Sequence, residues 1–305
     1  MKIVVIGAGA MGCLFAARLG TAGHDVTVVD VDRVRLSAIA ADGIVLADDQ
    51  GERTVAVGAR AAADVAAPVD LVVLFTKGMH SAAAIRSVAH LAGGSASVLT
   101  LQNGLGNVEA IADVFAQAAI VWGVTDFPAD LQGLNRVASH GAGHIWLGPV
   151  VPDQAVRAEA IAALLVDAGL DARAVPDVQA MVWDKAAFNS ALNALCTLGN
   201  VPVGRLDCPP ARHIAGLVIA EIAATAQAAG VDFDLSRVMA KVDFALANHT
   251  HHKPSMLQDR LAGRPTEIES INGAVLAVAA RHGVNTPTLQ LITDLVRIGE
   301  PAPAR

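Results

Sequence analysis

The chain is poor in the features that mark specialised protein classes. Its 305 residues hold three cysteines, Cys13, Cys196 and Cys208, which form neither a CxxC pair nor a disulfide framework. They read as small buried hydrophobes. No apolar run approaches the roughly 20 residues of a membrane span. This holds although 53% of the residues are hydrophobic and the mean hydropathy is +0.48, mainly through alanine and valine. Basic runs are absent and the net charge is −7, which argues against nucleic acid as a partner. The N-terminal segment lacks the charged region, apolar stretch and cleavage pattern of a signal peptide, so a cytoplasmic protein is expected. Internal repeats and low-complexity linkers are missing too. With 17% charged residues, the composition favours a large core over disorder.

What is present concentrates first at the N-terminus. An apolar β-type run ends in Gly7-x-Gly9-x-x-Gly12 and passes straight into a helix-forming segment, residues 13–22. Strand before and helix after are the context in which this glycine pattern points to a dinucleotide site. Gly7 permits a tight turn, Gly9 lets the backbone approach a pyrophosphate, and Gly12 lets the helix pack close to the strand. Ala10 and Met11 stand at the helix start, where free N–H groups and the dipole favour phosphate. Asp30 closes the next strand about 20 residues on, where a carboxylate bonds a ribose 2′-OH and repels a 2′-phosphate. That favours NAD(H), while Arg33 and Arg35 leave NADP(H) open. Capping of the following helix, the other role for Asp30, is better filled by Asp32.

Residues 1–175 alternate strand and helix patterns. Strands are expected at 2–6, 24–29, 70–75, 97–100, 119–124 and 171–175, and helices at 11–22, 32–41, 80–92, 106–116 and 155–168. Two hairpins are expected, one from 43–47 and 53–57, the other across 138–147 with its turn at 141–143. This rhythm implies an α/β domain with a Rossmann-type doubly wound parallel sheet. After Pro176 the strand signal disappears. Segments 179–198, 212–229, 236–247, 267–282 and 288–298 read as helices, with Gly199 and Gly230 as stops. The boundary therefore divides a dinucleotide-binding domain, 1–175, from an all-helical substrate and catalytic domain, 176–305. A short join predicts a cleft, where small-molecule sites usually lie.

The helical half carries Lys185, Asn189 and Asn193 at i, i+4 and i+8, on one face of an otherwise apolar helix. They either satisfy one another or line a wet cleft that receives a polar substrate. A lysine so placed can protonate an oxyanion forming on a carbonyl. Ser255 is suited to a carboxylate. Glu267 reads either as a helix-start carboxylate or as a partner that orients and tunes Lys185. In the first half, Lys77 and Asn103 follow strands 70–75 and 97–100 and so reach the carboxyl edge of the sheet. The bland alternatives are a surface lysine and an Asn-Gly turn. His249, His251 and His252 read as a polar helix end or pocket rim, and no metal is expected.

In order and approximate spacing, the glycine pattern, Lys77, Gln102-Asn103-Gly104, Lys185-x-x-x-Asn189-x-x-x-Asn193, Ser255-Met256-Leu257-Gln258-Asp259 and Thr266-Glu267-Ile268-Glu269 resemble the ketopantoate reductases over nearly the whole chain. The resemblance implies reduction of 2-dehydropantoate to pantoate, a step of pantothenate biosynthesis, by hydride from NADPH. It implies Lys185 as general acid and Glu267 as its supporting carboxylate, both at the cofactor's reactive end. Asn103, Asn189, Asn193 and Ser255 would hold the keto acid, Lys77 would sit at the nicotinamide end, and the assembly would be a monomer or homodimer. Asp30 stands where the family usually has a basic residue, so an NAD-dependent D-2-hydroxyacid dehydrogenase of the same fold is the main alternative. A dinucleotide-binding sensor without turnover is the other.

Overall fold

The structure, a computed structural model, describes residues 1–301. Its contacts divide it into two compact units, residues 1–102 with 107–178, and residues 103–106 with 179–301. Residues 103–106 pack with the second unit, with Leu105 against its apolar core.

The strands of the first unit are β1 (Lys2–Ile6), β2 (Asp25–Val29), β3 (Ile44–Asp48), β4 (Gly51–Val55), β5 (Gly58–Arg60), β6 (Leu71–Leu74), β7 (Ser97–Thr100), β8 (Ile120–Thr125), β9 (Asp130–Gln132), β10 (Arg136–Ser139), β11 (Ile145–Pro149) and β12 (Ala172–Ala174). Its helices are α1 (Ala10–Thr21), α2 (Arg33–Asp42), α3 (Ser81–Ser87), α4 (Asn107–Ala112) and α5 (Ala155–Asp167). Eight strands form the main sheet in the order β12-β11-β8-β7-β6-β1-β2-β5. From β8 to β5 every pairing is parallel, while β11 runs antiparallel to β8. Alternate residues of β1 feed opposite cores. Ile3 and Val5 pack with Leu14 and Phe15 of α1, whereas Val4 and Ile6 pack with Ile85 and Ile111. Burial on both faces explains why β1 and β6 are continuous apolar runs.

Three expectations for this unit need correction, the first being the helix expected at 106–116, which spans only Asn107–Ala112. Residues 138–147 are not a hairpin. β10 joins a second sheet, ordered β4-β3-β10-β9, while β11 joins the main sheet. A Cβ at Gly143 would lie 2.4 Å from Cγ of Phe127, so the glycine segment is a tight crossing between sheets. Nor is 80–92 one helix. After α3 the chain tightens into a 3₁₀ turn, Ala89–Leu91. Ile85, Val88 and Leu91 are all buried, and their spacing of three suits the 3₁₀ period. The 43–57 hairpin forms as β3 and β4. Its Asp48 is buried and bonds Arg53 twice at 2.8 Å and Arg18 of α1 at 2.9 Å.

The second unit holds α6 (Val178–Gly199), α7 (Pro209–Ala228), α8 (Leu235–Asn248), α9 (Ser255–Leu261), α10 (Ala274–His282) and α11 (Pro287–Ile298). Its core gathers Trp183, Leu192, Val218, Ile222, Val242, Leu257, Val275 and Ile292 from all of them. The helix expected across 267–282 forms from residue 268, with a π-helical turn, Glu269–Gly273, inside it just before α10. Gly230 takes the left-handed stop conformation at φ +78°, but after α6 that role falls to Asn200, at φ +50°, rather than Gly199. No helix among the described residues is long and apolar enough to cross a membrane.

Candidate active site

The glycine turn is built from backbone that tolerates no side chains. Gly7 sits at φ +101°, and a Cβ there would lie 2.8 Å from the Phe75 carbonyl carbon, in the loop after β6. A Cβ at Gly12 would lie 1.8 Å from the Gly7 carbonyl oxygen, so only glycine lets α1 start against the turn. Gly9 differs. It is exposed, and a Cβ there would meet nothing within 4 Å, which leaves open space over the backbone at the start of α1. That is the surface a pyrophosphate needs.

Asp30 follows β2 and braces the same turn. One carboxylate oxygen accepts the Ala8 N–H at 2.6 Å and the other the Asp32 N–H at 2.9 Å. Each oxygen keeps acceptor capacity for a ribose hydroxyl. Asp32 caps α2 by accepting the Arg35 N–H at 3.0 Å. Lys77, half-buried, follows β6, and β1 lies between β6 and β2 in the sheet. Lys77, the glycine turn and Asp30 therefore stand in a row along the carboxyl edge, at the point where strand order reverses. Gln102, after β7, donates to the Thr76 carbonyl at 2.6 Å and to Ser81 Oγ at 2.8 Å, fixing the loops on that edge.

In the second unit α6 carries the polar row as expected. Lys185 is half-buried, while Asn189 and Asn193 are buried. The residue before Lys185 is one that sequence reasoning missed. Asp184 is 1% exposed and receives Arg237 Nε at 2.6 Å, Arg237 Nη2 at 2.9 Å and Lys241 Nζ at 3.0 Å, all from α8. Its carboxylate raises the Arg237 guanidinium above its ordinary range. The available signal was an aspartate inside an apolar helix together with a basic pair four residues apart on α8. Asn103 Nδ2 lies 3.5 Å from Glu267 Oε2, which brings two expected site residues together. Thr266 Oγ1 accepts the Ile268 N–H at 3.3 Å and donates to Glu300 at 2.7 Å.

The Ser-Met-Leu-Gln-Asp segment divides between core and surface. Met256 and Leu257 are core residues, and buried Asp259 accepts Arg264 Nε at 3.0 Å. Ser255 alone of the expected site residues there is exposed, at the first position of α9. Burial pushes the Cys13 thiol up to about 11 and the Cys196 thiol up to about 12, which keeps both protonated near neutral pH. Among the described residues no group of three or more His, Cys, Asp or Glu side chains is placed to hold a metal ion.

Two family models cover most of the chain: Ketopantoate reductase PanE/ApbA matches residues 3–152, and Ketopantoate reductase PanE/ApbA C terminal matches residues 177–300. The chain belongs to the ketopantoate reductase family. It is 32% identical over 302 residues to a 2-dehydropantoate 2-reductase of Streptococcus pyogenes serotype M3, covering 98% of each chain. A 2-dehydropantoate 2-reductase of Halobacterium salinarum is 30% identical over 302 residues, 98% of this chain and 99% of that one. Among solved structures, D-mandelate dehydrogenase with NADH and anilino(oxo)acetate has a TM-score of 0.93 at 29% identity, with 98% of both chains covered. The 2-dehydropantoate 2-reductase of Geobacter metallireducens has a TM-score of 0.91 at 32% identity, covering 98% and 99%. As a ketopantoate reductase family member the chain is an oxidoreductase that works with a nicotinamide cofactor.

Proposed function

We propose that this protein reduces a 2-keto acid to the 2-hydroxy acid, with 2-dehydropantoate as substrate and NADH as the preferred reductant. The observation that carries the reading is the row Lys185, Asn189, Asn193, three polar side chains along the long, mostly apolar helix α6. Buried amides on such a helix are costly unless they meet polar groups, and a keto acid supplies them.

The first unit fits the cofactor. Gly7, Gly9 and Gly12, with Ala10 and Met11 at the start of α1, would hold the pyrophosphate, and Asp30 the adenosine ribose. Lys77 would serve the nicotinamide end. When bound, the reduced nicotinamide supplies the hydride that adds to the carbonyl carbon. The chain's own residues do the rest. Asn103, Asn189, Asn193 and Ser255 hold the acid's carboxylate and hydroxyls, Lys185 gives a proton to the carbonyl oxygen, and Glu267 supports that ammonium. Hydride on carbon and proton on oxygen complete the alcohol. Positioning and stabilisation of the developing oxyanion provide most of the rate.

A second reading has its own support. The D-mandelate dehydrogenase structure holds NADH, and Asp30 also favours NADH, so a bulky or aromatic 2-keto acid is the rival substrate. Assaying NADH and NADPH against 2-dehydropantoate and branched and aromatic 2-keto acids separates the two by kcat/KM. The proposal expects NADH-dependent turnover that is highest with 2-dehydropantoate, and a Lys185→Ala variant whose kcat falls about 100-fold or more. Lack of turnover with every keto acid, as a sensor would give, sinks the reading, and an unchanged kcat in Lys185→Ala removes the lysine from the chemistry.

A further inference from the structure

Glu267 is followed at once by an irregularity. The π-helical turn Glu269–Gly273 widens the helix that runs from 268 to 282, and π turns inside helices are frequent at functional sites. This turn is tied on two sides, to residues that all belong to the second unit.

On one side is the loop of Asn103. The Leu105 N–H donates to the Ser270 carbonyl at 3.1 Å. Gly104 sits at φ +84°, and a Cβ there would lie 1.8 Å from that same carbonyl oxygen. Only glycine lets the loop lie flush on the turn, and Asn103 Nδ2 then comes 3.5 Å from Glu267 Oε2. On the other side is α6. Asn272 is fully buried, and its Nδ2 donates to the Ser190 carbonyl at 3.3 Å, between Asn189 and Asn193 in sequence. The turn also holds the backbone of Glu267, whose carbonyl accepts the Ile271 N–H at 3.0 Å and Ser270 Oγ at 3.2 Å.

Both ties are costly choices. Asn272 Oδ1 and the nearby Ser190 Oγ are buried without a protein partner, where an apolar pair would fold more cheaply. Gly104 adds conformational entropy to the unfolded chain. We propose that the π turn is a positioning element: Gly104 and Asn272 are the positioning residues that lock Glu267 to Asn103 on one side and to the helix of Lys185 on the other. This rests on the roles of Lys185 and Glu267 proposed above. Asp184, the carboxylate next to Lys185 in sequence, is held by Arg237 and Lys241, which leaves Glu267 as the carboxylate proposed to support Lys185.

The test uses the full chain with Gly104→Ala and, separately, Asn272→Asp, which removes the Nδ2 donor at nearly constant volume. Steady-state kinetics are measured together with the Lys185 titration, followed by NMR of ¹³C-dimethylated lysines and assigned with Lys185→Arg. In each variant that keeps the native circular dichroism spectrum, kcat falls about tenfold or more while KM for NADH stays within about twofold. The Lys185 midpoint moves down, because a carboxylate that supported the ammonium has shifted away. A folded variant with wild-type kcat overturns the proposal. So does a rise in keto-acid KM alone, or an unmoved Lys185 titration. If the wild type turns over no 2-keto acid, the proposed reaction fails, and the titration alone then decides whether the turn sets the surroundings of Lys185. If one variant does not fold, the other carries the decision.

Discussion

At Asp30 a single carboxylate braces the fold where the adenosine ribose is proposed to bind. Its two oxygens hold the N–H groups of Ala8 and Asp32, so it closes the glycine turn onto the end of β2. The same charge repels a 2′-phosphate. Asp30→Ala should therefore act in two ways. The lost charge-assisted bonds cost about 2 kcal/mol of stability. NADH binding, followed by fluorescence titration, weakens about tenfold, while NADPH binding weakens less. Equal losses for both cofactors would mean that Asp30 only braces the turn. The spacing from the glycines made a ribose role for Asp30 readable. Its bond to Ala8 depends on how β1 and β2 align, which no local pattern encodes.

At the scale of elements, the contact between α6 and α8 rests on Asp184. Helical periodicity gave both helices but not their pairing, because a buried ion pair is made by residues some fifty positions apart. The asymmetry of burial predicts an order of effects. Arg237→Ala strands a buried carboxylate with Lys241 alone, costing about 3 kcal/mol. Asp184→Asn leaves two half-exposed cations that can turn to water, costing about 2 kcal/mol. Urea unfolding of both variants checks the order, and the reverse order would show that Asp184 is not the buried anchor. The same logic explains the hairpin misplaced at 138–147. Alternation correctly marked two strands, but which sheet each joins was decided by Val137 entering the core beside Leu46 while Ile145 and Leu147 align with β8.

For the whole molecule, acid sensitivity follows from its paired carboxylates. Hydrogen bonding from Arg53, with a backbone bond from Gln50 and the charge of Arg18, holds Asp48 below its usual range against the effect of burial. Arg297 does the same for Glu269. A depressed folded pKa gives stability that is complete above the unfolded value, about 4, and is lost as pH falls through the folded value. His24, lowered mainly by burial and then by the N-terminal ammonium, adds a smaller loss that begins below about 6.5. Stability from urea titrations should thus slope gently from pH 6.5 to 5 and drop steeply below about 4. Asp48→Asn should flatten the steep limb. A variant with the wild-type slope would remove Asp48 from the acid transition.

The sequence by itself determined most of the strands and helices, that a parallel α/β half precedes a helical half, and which polar groups share a helix face. Those features follow from short-range periodicity, turn chemistry and the glycine spacing, and each is complete within a few residues. Tertiary structure alone decided that β10 and β11 part company, that residues 103–106 pack with the helical unit, and that the helix after Glu267 opens into a π turn. Each of these turns on contacts between residues remote in the chain, Phe127 on Gly143, Ser270 on Gly104, Asn272 on Ser190, where packing and buried hydrogen bonds outweigh local preference.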